Sequence, residues 1–432
     1  MTRSVGILGA GLSGLSAAYH LGTNSYVLLE SDAQPGGVAA SVKYQGFTFD
    51  YGPHIIYSKS NYVKELYKLL LGSNLALNGV RKNFILTLGR RIHFPFEANL
   101  HDAPIQVREE CILGAIRRRA VGANNFRDWI LQTFGAGVAK YYMVPYNEKV
   151  WKYDLAKMGL DWIADRVVTP SIEDMISGAF RKQKKTYGPN TTFWYPKSGG
   201  TGAIANAFAS KLSHIRLRER VERIYVKNRI LELRTTKKRY EFDSILSSIP
   251  LPDLIDMIED VPSDVTRAAK NLIYNSLCCV FVGLKGDNMP NWTAAYVPDK
   301  SIIFHRLSFP KNFSPLTVPK GKSSVNIEIT CAKNSLPDRK ELEGKVLDGL
   351  GEVGLLNKEV KPLFVKSRMR RYAYVIYDLN HARNVSRIHD FLRERRILPM
   401  GRFGEWAYFN TDHAVLSGQK TALEVLTKLK TA

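Results

Sequence analysis

The chain is predicted to be α/β, with a discontinuous Rossmann-like domain that carries an inserted helical domain and an antiparallel β-sheet domain. Three observations predict this: a glycine-punctuated strand–helix–strand pattern over residues 5–30, helical spacing over 100–190, and short alternating apolar runs over 276–377. Size agrees, since 432 residues suggest roughly three units at ~150 residues each. Hydrophobic content of 45% and charged content of 24% exclude a disordered tail or a small disulfide-stapled module. Cys111, Cys278, Cys279 and Cys331 show no C-x-x-C spacing, so neither a zinc site nor a bridge framework is expected, and a reducing compartment is.

Val5 to Leu8 has the apolar texture of a buried strand. Gly9, Gly11 and Gly14 then form G-x-G-x-x-G, residues 12–21 keep helical spacing, and a second apolar run, 27–29, ends on Glu30. Each residue type has a task in dinucleotide binding. Gly9 permits the tight turn, Gly11 lets a pyrophosphate approach the backbone, Gly14 lets helix and strand pack closely, and Glu30 accepts ribose hydroxyls. Pro35-Gly36-Gly37 comes next, and Gly-Arg-Phe-Gly-Glu-Trp at 401–406 precedes a helical run over 411–429. A second contact segment so late in the chain suits the long, extended FAD better than NAD.

Further along, 106–119 and 125–134 have helical spacing, and Pro145 and Pro170 interrupt the helical texture of 136–185. Gly-Gly-Thr-Gly at 199–202 opens a helix, with strands expected at 229–234 and 244–249. Strands are also expected at 278–284, 302–307, 325–330 and 362–377. The expected FAD domain comprises 1–80, 195–255 and 385–432. The helical, substrate-side domain is 100–190 and the sheet domain 81–99 with 256–384. No apolar run reaches the ~18 residues that span a bilayer, so a cytoplasmic protein is expected.

Several blocks in one order resemble the flavin-dependent UDP-galactopyranose mutases, the eukaryotic type in particular. They are Asp-Tyr-Gly-Pro-His-Ile-Ile-Tyr-Ser at 50–58, Phe-Arg-Asp-Trp-Ile at 126–130, Met-Val-Pro-Tyr-Asn-Glu-Lys-Val-Trp at 143–151, and Asp-Arg-Val-Val-Thr-Pro at 165–170. Tyr-Gly-Pro-Asn-Thr-Thr-Phe at 187–193, the 199–202 glycines, Gly-Arg-Phe-Gly at 401–404 and Asn-Thr-Asp-His at 410–413 complete the set. The resemblance implies a three-domain flavoprotein that interconverts pyranose and furanose forms of a nucleoside-diphosphate sugar. In that family the reduced flavin attacks the anomeric carbon through N5 and no net redox change results.

The resemblance also implies roles. Arg306 and Arg166 match arginines at the diphosphate, and Tyr374, Tyr408 and Tyr296 match phosphate-contacting tyrosines. His54 matches the histidine beside the flavin, Arg402 a cofactor contact, Asn190 a substrate-loop residue, and Asn410 a residue at the pocket. Tyr142, Tyr146, Asn147 and Trp151 match the nucleoside end. The segment Phe94, Pro95, Phe96, Glu97 departs from the family, which has tyrosine first and a uracil-reading glutamine last. An anionic Glu97 accepts only, which suits two donors on guanine better than uracil's single N–H. Phe313 replaces a family tyrosine, and Pro53 a glycine. Arg81 matches an NADPH contact while Asn83 departs from the family serine, so NADPH or NADH is a candidate reductant.

Two other readings compete. A flavin oxidase or desaturase of the amine-oxidase or protoporphyrinogen-oxidase type shares the cofactor glycines and the late Gly-Arg-Phe. A non-catalytic flavoprotein would use its basic surface for binding. Lys plus Arg number 62 against 40 Asp plus Glu, a net charge of +22. The basic clusters at 117–119, 181–185, 237–239, 368–371 and 393–396 are scattered over all three domains rather than gathered in one arm, so nucleic acid is not expected. Most are expected to be solvated, with peripheral contact to an anionic membrane and oligomer formation both open.

Overall fold

The computed structural model describes residues 4–22, 26–119, 121–163, 166–183, 187, 191–227, 230–333, 335, 337–357 and 360–431. Strand β1 (Val5–Leu8), helix α1 (Leu12–Leu21) and strand β2 (Tyr26–Leu29) form the amino-terminal unit. β1 is buried at every position because it is the middle strand of a five-stranded parallel sheet. Its neighbours come from far along the chain: Ser244–Ser247 on one side with Ile397–Pro399 beyond, and β2 on the other with Ile215–Arg216 beyond. The sheet therefore closes only when three stretches of sequence meet. The last helix, Thr411–Thr431, packs along α1, where the Ser16 hydroxyl donates to the Val415 carbonyl at 2.7 Å.

A seven-stranded sheet forms a second layer, in the order Pro362–Ile376, Ile273–Lys285, Lys322–Cys331, Arg306–Ser308, Ala294–Tyr296, Asn83–Thr87, Arg90–His93. It is antiparallel except where Ala294–Tyr296 runs parallel to Asn83–Thr87. The long strand Ile273–Lys285, second in that order, is buried along nearly its whole length, since the sheet is covered on both faces. The expected strand over 302–307 shrinks to Arg306–Ser308. Its first half is an irregular turn that buries Phe304 against the helix Arg339–Glu352.

The helical layer consists of Ile105–Ile116, Phe126–Val138, Val144–Trp151 and Ile172–Phe180. A π turn at Ala139–Met143 sits between the second and third. The local change of winding brings Tyr142 and Tyr146 into a stack, with centroids 5.4 Å apart and planes 19° apart. Among the described residues no helix is long and apolar enough to cross a membrane.

Candidate active site

A cleft of about 650 Å³ opens where the parallel sheet faces the seven-stranded one. Its floor is the β1–α1 turn. Gly9 has φ +94°, a conformation that a side chain would strain, and its N–H donates to the Leu29 carbonyl at 2.8 Å. A Cβ on Gly14 would lie 1.9 Å from the Gly9 carbonyl oxygen, so the helix approaches the strand as closely as only glycine permits. Gly11 is different: a Cβ there would meet nothing within 4 Å, and the space above it is the cleft. Gly36 and Gly37 close this end.

Glu30 is 8% exposed and already anchored: one oxygen accepts from the Ala10 N–H at 2.7 Å and the other from the Asp32 N–H at 2.8 Å. The carboxylate is thus fixed at the cleft wall with lone pairs left for ribose hydroxyls. Arg402, at the opposite wall, is half-buried. Among the described residues only its Nη1 has a protein acceptor, the Phe409 carbonyl at 3.3 Å, while the inaccessible Nε and Nη2 have none. Burial pushes its pKa down and nearby Arg166 pushes the same way, against the tyrosines Tyr408 and Tyr374. Buried donors without acceptors are costly unless a bound group supplies them. An open glycine cradle at a helix N-terminus, an oriented carboxylate and an arginine lacking acceptors together fit an adenine dinucleotide with a polar ring system.

The roof comes from the second sheet. Arg306 and Glu328 are direct cross-strand partners, and the guanidinium grips the carboxylate with two parallel hydrogen bonds, Nε to Oε1 at 2.6 Å and Nη2 to Oε2. The Glu328 side chain is fully buried. From Nη2 a further bond reaches the Tyr374 hydroxyl at 3.4 Å. Arg402 lies over the rings of Tyr374 (5.2 Å) and Tyr408 (4.9 Å), and Arg166 lies over Tyr408 from another side (4.9 Å). Three guanidiniums therefore lie beside two phenols, and of the three it is Arg306 that pairs with a carboxylate, Glu328. Tyr374 stays protonated, its hydroxyl pushed up to about 12 by burial.

His54 lines the cleft on a loop pinned from beneath by Asp50 and Thr201. Asp50 accepts from the Ser41 hydroxyl (2.5 Å), the Tyr195 hydroxyl (2.6 Å) and the Thr201 hydroxyl (2.7 Å), and Thr201 also donates to the His54 carbonyl (3.2 Å). Burial depresses the imidazole pKa, so His54 is neutral near pH 7, with Nδ1 buried and without a partner among the described residues.

Phe313, Tyr296, Asn410, Arg81 and Asn83 also line the cleft, and Arg81 Nη2 donates to the Tyr296 hydroxyl at 3.2 Å. An aromatic chain leads from there to the helical layer: Phe94 packs on Tyr296 (5.3 Å), Tyr296 on Tyr146 (5.5 Å), Tyr146 on Tyr142, and Tyr142 on Phe96 (5.3 Å). Trp151 joins Tyr374 (5.7 Å) and Tyr408 (6.0 Å). Asn147 is occupied within its own helix, donating to the Met143 carbonyl and accepting from Trp151 Nε1. Arg166 uses part of its fork on the carbonyls of Trp162 (3.1 Å) and Tyr408. Asn190 lies outside the described residues.

Two sequence expectations need correction. Glu97 is not a permanent anion: it is 3% exposed with Oε2 unpartnered, and burial pushes its carboxyl up to about 7, so it can donate as well as accept. The cluster at 368–371 is not merely solvated charge, because Arg370 and Arg371 line the cleft and Arg370 lies 4.0 Å over Tyr51. With the folded pKa of Glu97 raised above the unfolded value near 4.5, the neutral form is favoured by folding. That stability is full below pH ~4.5 and is lost by about pH 7, by up to ~3 kcal/mol. Glu97→Gln should therefore gain stability over wild type on going from pH 5 to pH 8 in thermal unfolding. A constant difference would show that Glu97 ionises freely.

Glu328, Asp50 and Arg370 belong to the site without being among the residues that the sequence points to. For Glu328 a signal exists, an acid in the middle of the apolar alternation of 325–330.

With this geometry in place, the chain belongs to the flavin-containing amine oxidoreductase family, whose model matches residues 12–426. Within that class its structure is similar to a reduced UDP-galactopyranose mutase, with TM-score 0.93 and 26% identity over 99% of this chain and 94% of that one. A putative protoporphyrinogen oxidase from Exiguobacterium sp. 255-15 shares the fold (TM-score 0.77, 16% identity, 99% of both chains). The coproporphyrinogen III oxidase of Staphylococcus aureus (strain NCTC 8325 / PS 47) is 29% identical over 100 residues, 22% of this chain and 22% of that protein. The protein is thus a flavin enzyme of UDP-galactopyranose-mutase-like structure.

Proposed function

We propose that the protein is an FAD-dependent mutase that interconverts the pyranose and furanose forms of a nucleoside-diphosphate sugar. The observation that carries this reading is the convergence of Arg306, Arg402 and Arg166 on Tyr374 and Tyr408, with Arg306 alone of the three paired to a carboxylate, Glu328, among the described residues. That surplus of positive charge among neutral phenols matches a diphosphate, which needs guanidinium forks and hydroxyl donors as it departs and returns. An oxidase acting on an uncharged substrate has no use for it.

Bound and reduced, FAD would supply electron density to the anomeric carbon and recover it when the diphosphate returns. The remaining work falls to the chain. Gly11, Glu30 and Arg402 would hold the cofactor, together with Gly9, Gly36 and Gly37. Glu328 fixes the Arg306 fork and keeps it from collapsing onto solvent. Tyr374, Tyr408 and Tyr296 donate to phosphate oxygens, and neutral His54 offers a hydrogen bond without adding charge near the flavin. The base would lie against Phe94 and Tyr146, with the buried Phe96, Tyr142, Trp151 and Asn147 behind and Asn410 and Phe313 at the cleft edge.

Glu97 leaves the base open between uracil and guanine, because it can donate as an acid and accept as a carboxylate. UDP-galactose and its furanose form are the first substrates to try, with GDP-hexoses beside them. NADPH or NADH docking near Arg81 would supply electrons, in the cytoplasm. Reduced enzyme supplied with a panel of NDP-hexoses and followed by NMR tests the proposal. Pyranose and furanose signals of one sugar should equilibrate. A consumed hexose with an oxidised product would instead establish the oxidase reading. Preference for GDP over UDP that is lost in Glu97→Gln would assign the base to guanine.

A further inference from the structure

We infer that His93, His101 and Asp102 form a binding site for a divalent first-row metal ion such as Zn2+, outside the cleft. One ring nitrogen from each histidine and one carboxylate oxygen lie within 4.8 Å of one another. The hydrogen bonds decide what the group lacks. His101 Nδ1 lies 3.1 Å from the Gly178 carbonyl, which can only accept, so Nδ1 carries the proton and Nε2 of the neutral ring presents a lone pair. That lone pair faces Asp102 Oδ1 at 3.2 Å, a second acceptor. A cation satisfies both acceptors at that distance, a metal ion between them or a proton on Nε2. Ligand atoms of a tetrahedral zinc site lie about 3.3 Å apart when the metal–ligand bonds are about 2.0 Å, which matches this spacing.

The surroundings are those of a metal ligand set. The N–H to carbonyl bond at His101 orients the ring as outer partners of ligating histidines do. Asp102 Oδ2 is held by the His93 N–H at 2.9 Å and by His93 Nδ1 at 2.7 Å, which leaves Oδ1 for the ion. The two imidazoles are nearly parallel, at 20°, with centroids 6.5 Å apart. The side chains are accessible to an entering ion, His93 at 37% and Asp102 at 20% exposure.

A metal here would tie the edge strand Arg90–His93 to the turn Leu100–Asp102 and, through Gly178, to the helix Ile172–Phe180. These bracket the segment that carries Phe94, Phe96 and Glu97. The site's expected effect is structural and holds whichever reaction the flavin performs.

The test uses chelator-treated, full-length flavoprotein and Zn2+ titrated in competition with a chromophoric chelator, with thermal unfolding run in parallel. One Zn2+ per chain and a raised melting temperature are expected for wild type. Binding should weaken at least about tenfold in His101→Gln and in Asp102→Asn. Substitution of the exposed His214 should leave it unchanged, and flavin absorbance reports that each variant is folded. Absence of Zn2+ binding in wild type, or equal binding by wild type and both site variants, would overturn the assignment.

Discussion

Arg306→Ala is expected to abolish binding of nucleoside diphosphates and to destabilise the fold at the same time. The Glu328 side chain is fully buried and its partner is this guanidinium, so truncation strands a buried carboxylate. Breaking a buried pair from one side costs about 3–5 kcal/mol. The edge of the guanidinium that Glu328 does not engage is the proposed diphosphate contact, and loss of a charge-assisted contact corresponds to about a hundredfold or more in affinity. Arg306→Lys separates the two effects, since it keeps a charge beside Glu328 but cannot make two parallel bonds. It should recover much of the stability and little of the affinity. UDP and GDP titrations alongside chemical denaturation measure both. If Arg306→Ala binds nucleotide as wild type does, the diphosphate role of Arg306 is wrong.

The glycine turn yields a second pair of opposed results. Gly14→Ala places a methyl 1.9 Å from a backbone oxygen, where no side chain can move aside, and should cost ~3 kcal/mol or more with loss of the folded protein. Gly11→Ala should be tolerated by the fold, because Gly11 has φ −68° and ψ 176°, ordinary extended backbone, and open space beside it. That open space is where the cofactor's pyrophosphate would lie. Gly11→Ala is therefore expected to fold with an unchanged unfolding midpoint as apoprotein and to retain little flavin. Full flavin occupancy in this variant would place the pyrophosphate elsewhere.

The two sites differ in how far they are legible in the sequence. The turn at Gly9, Gly11 and Gly14 and the acid Glu30 are local backbone chemistry, written within one strand–helix–strand unit, and the structure places Gly9, Gly11 and Glu30 at one end of the cleft with Gly14 packed against Gly9. The parallel sheet is legible in outline, since its strands are short apolar runs beside glycine turns. Arg306 is legible only through a block resemblance. Its partner Glu328 is 22 residues away and meets it by strand register, which no local pattern announces. The Asp50 cradle beneath His54 gathers Ser41, Tyr195 and Thr201 from three segments. Glu97 reads as an anion from its residue type, whereas its ionisation depends on burial under neighbouring helices.

Redox dependence separates a mutase from an oxidase in one experiment. Enzyme reduced anaerobically with dithionite and enzyme left oxidised are given the same NDP-hexose, with the furanose product and dissolved oxygen followed together. The mutase reading predicts turnover by the reduced enzyme alone, with no oxidised sugar formed and no oxygen consumed in proportion to product. Equal activity of the oxidised enzyme, or oxygen uptake matched one for one to substrate lost, would contradict it.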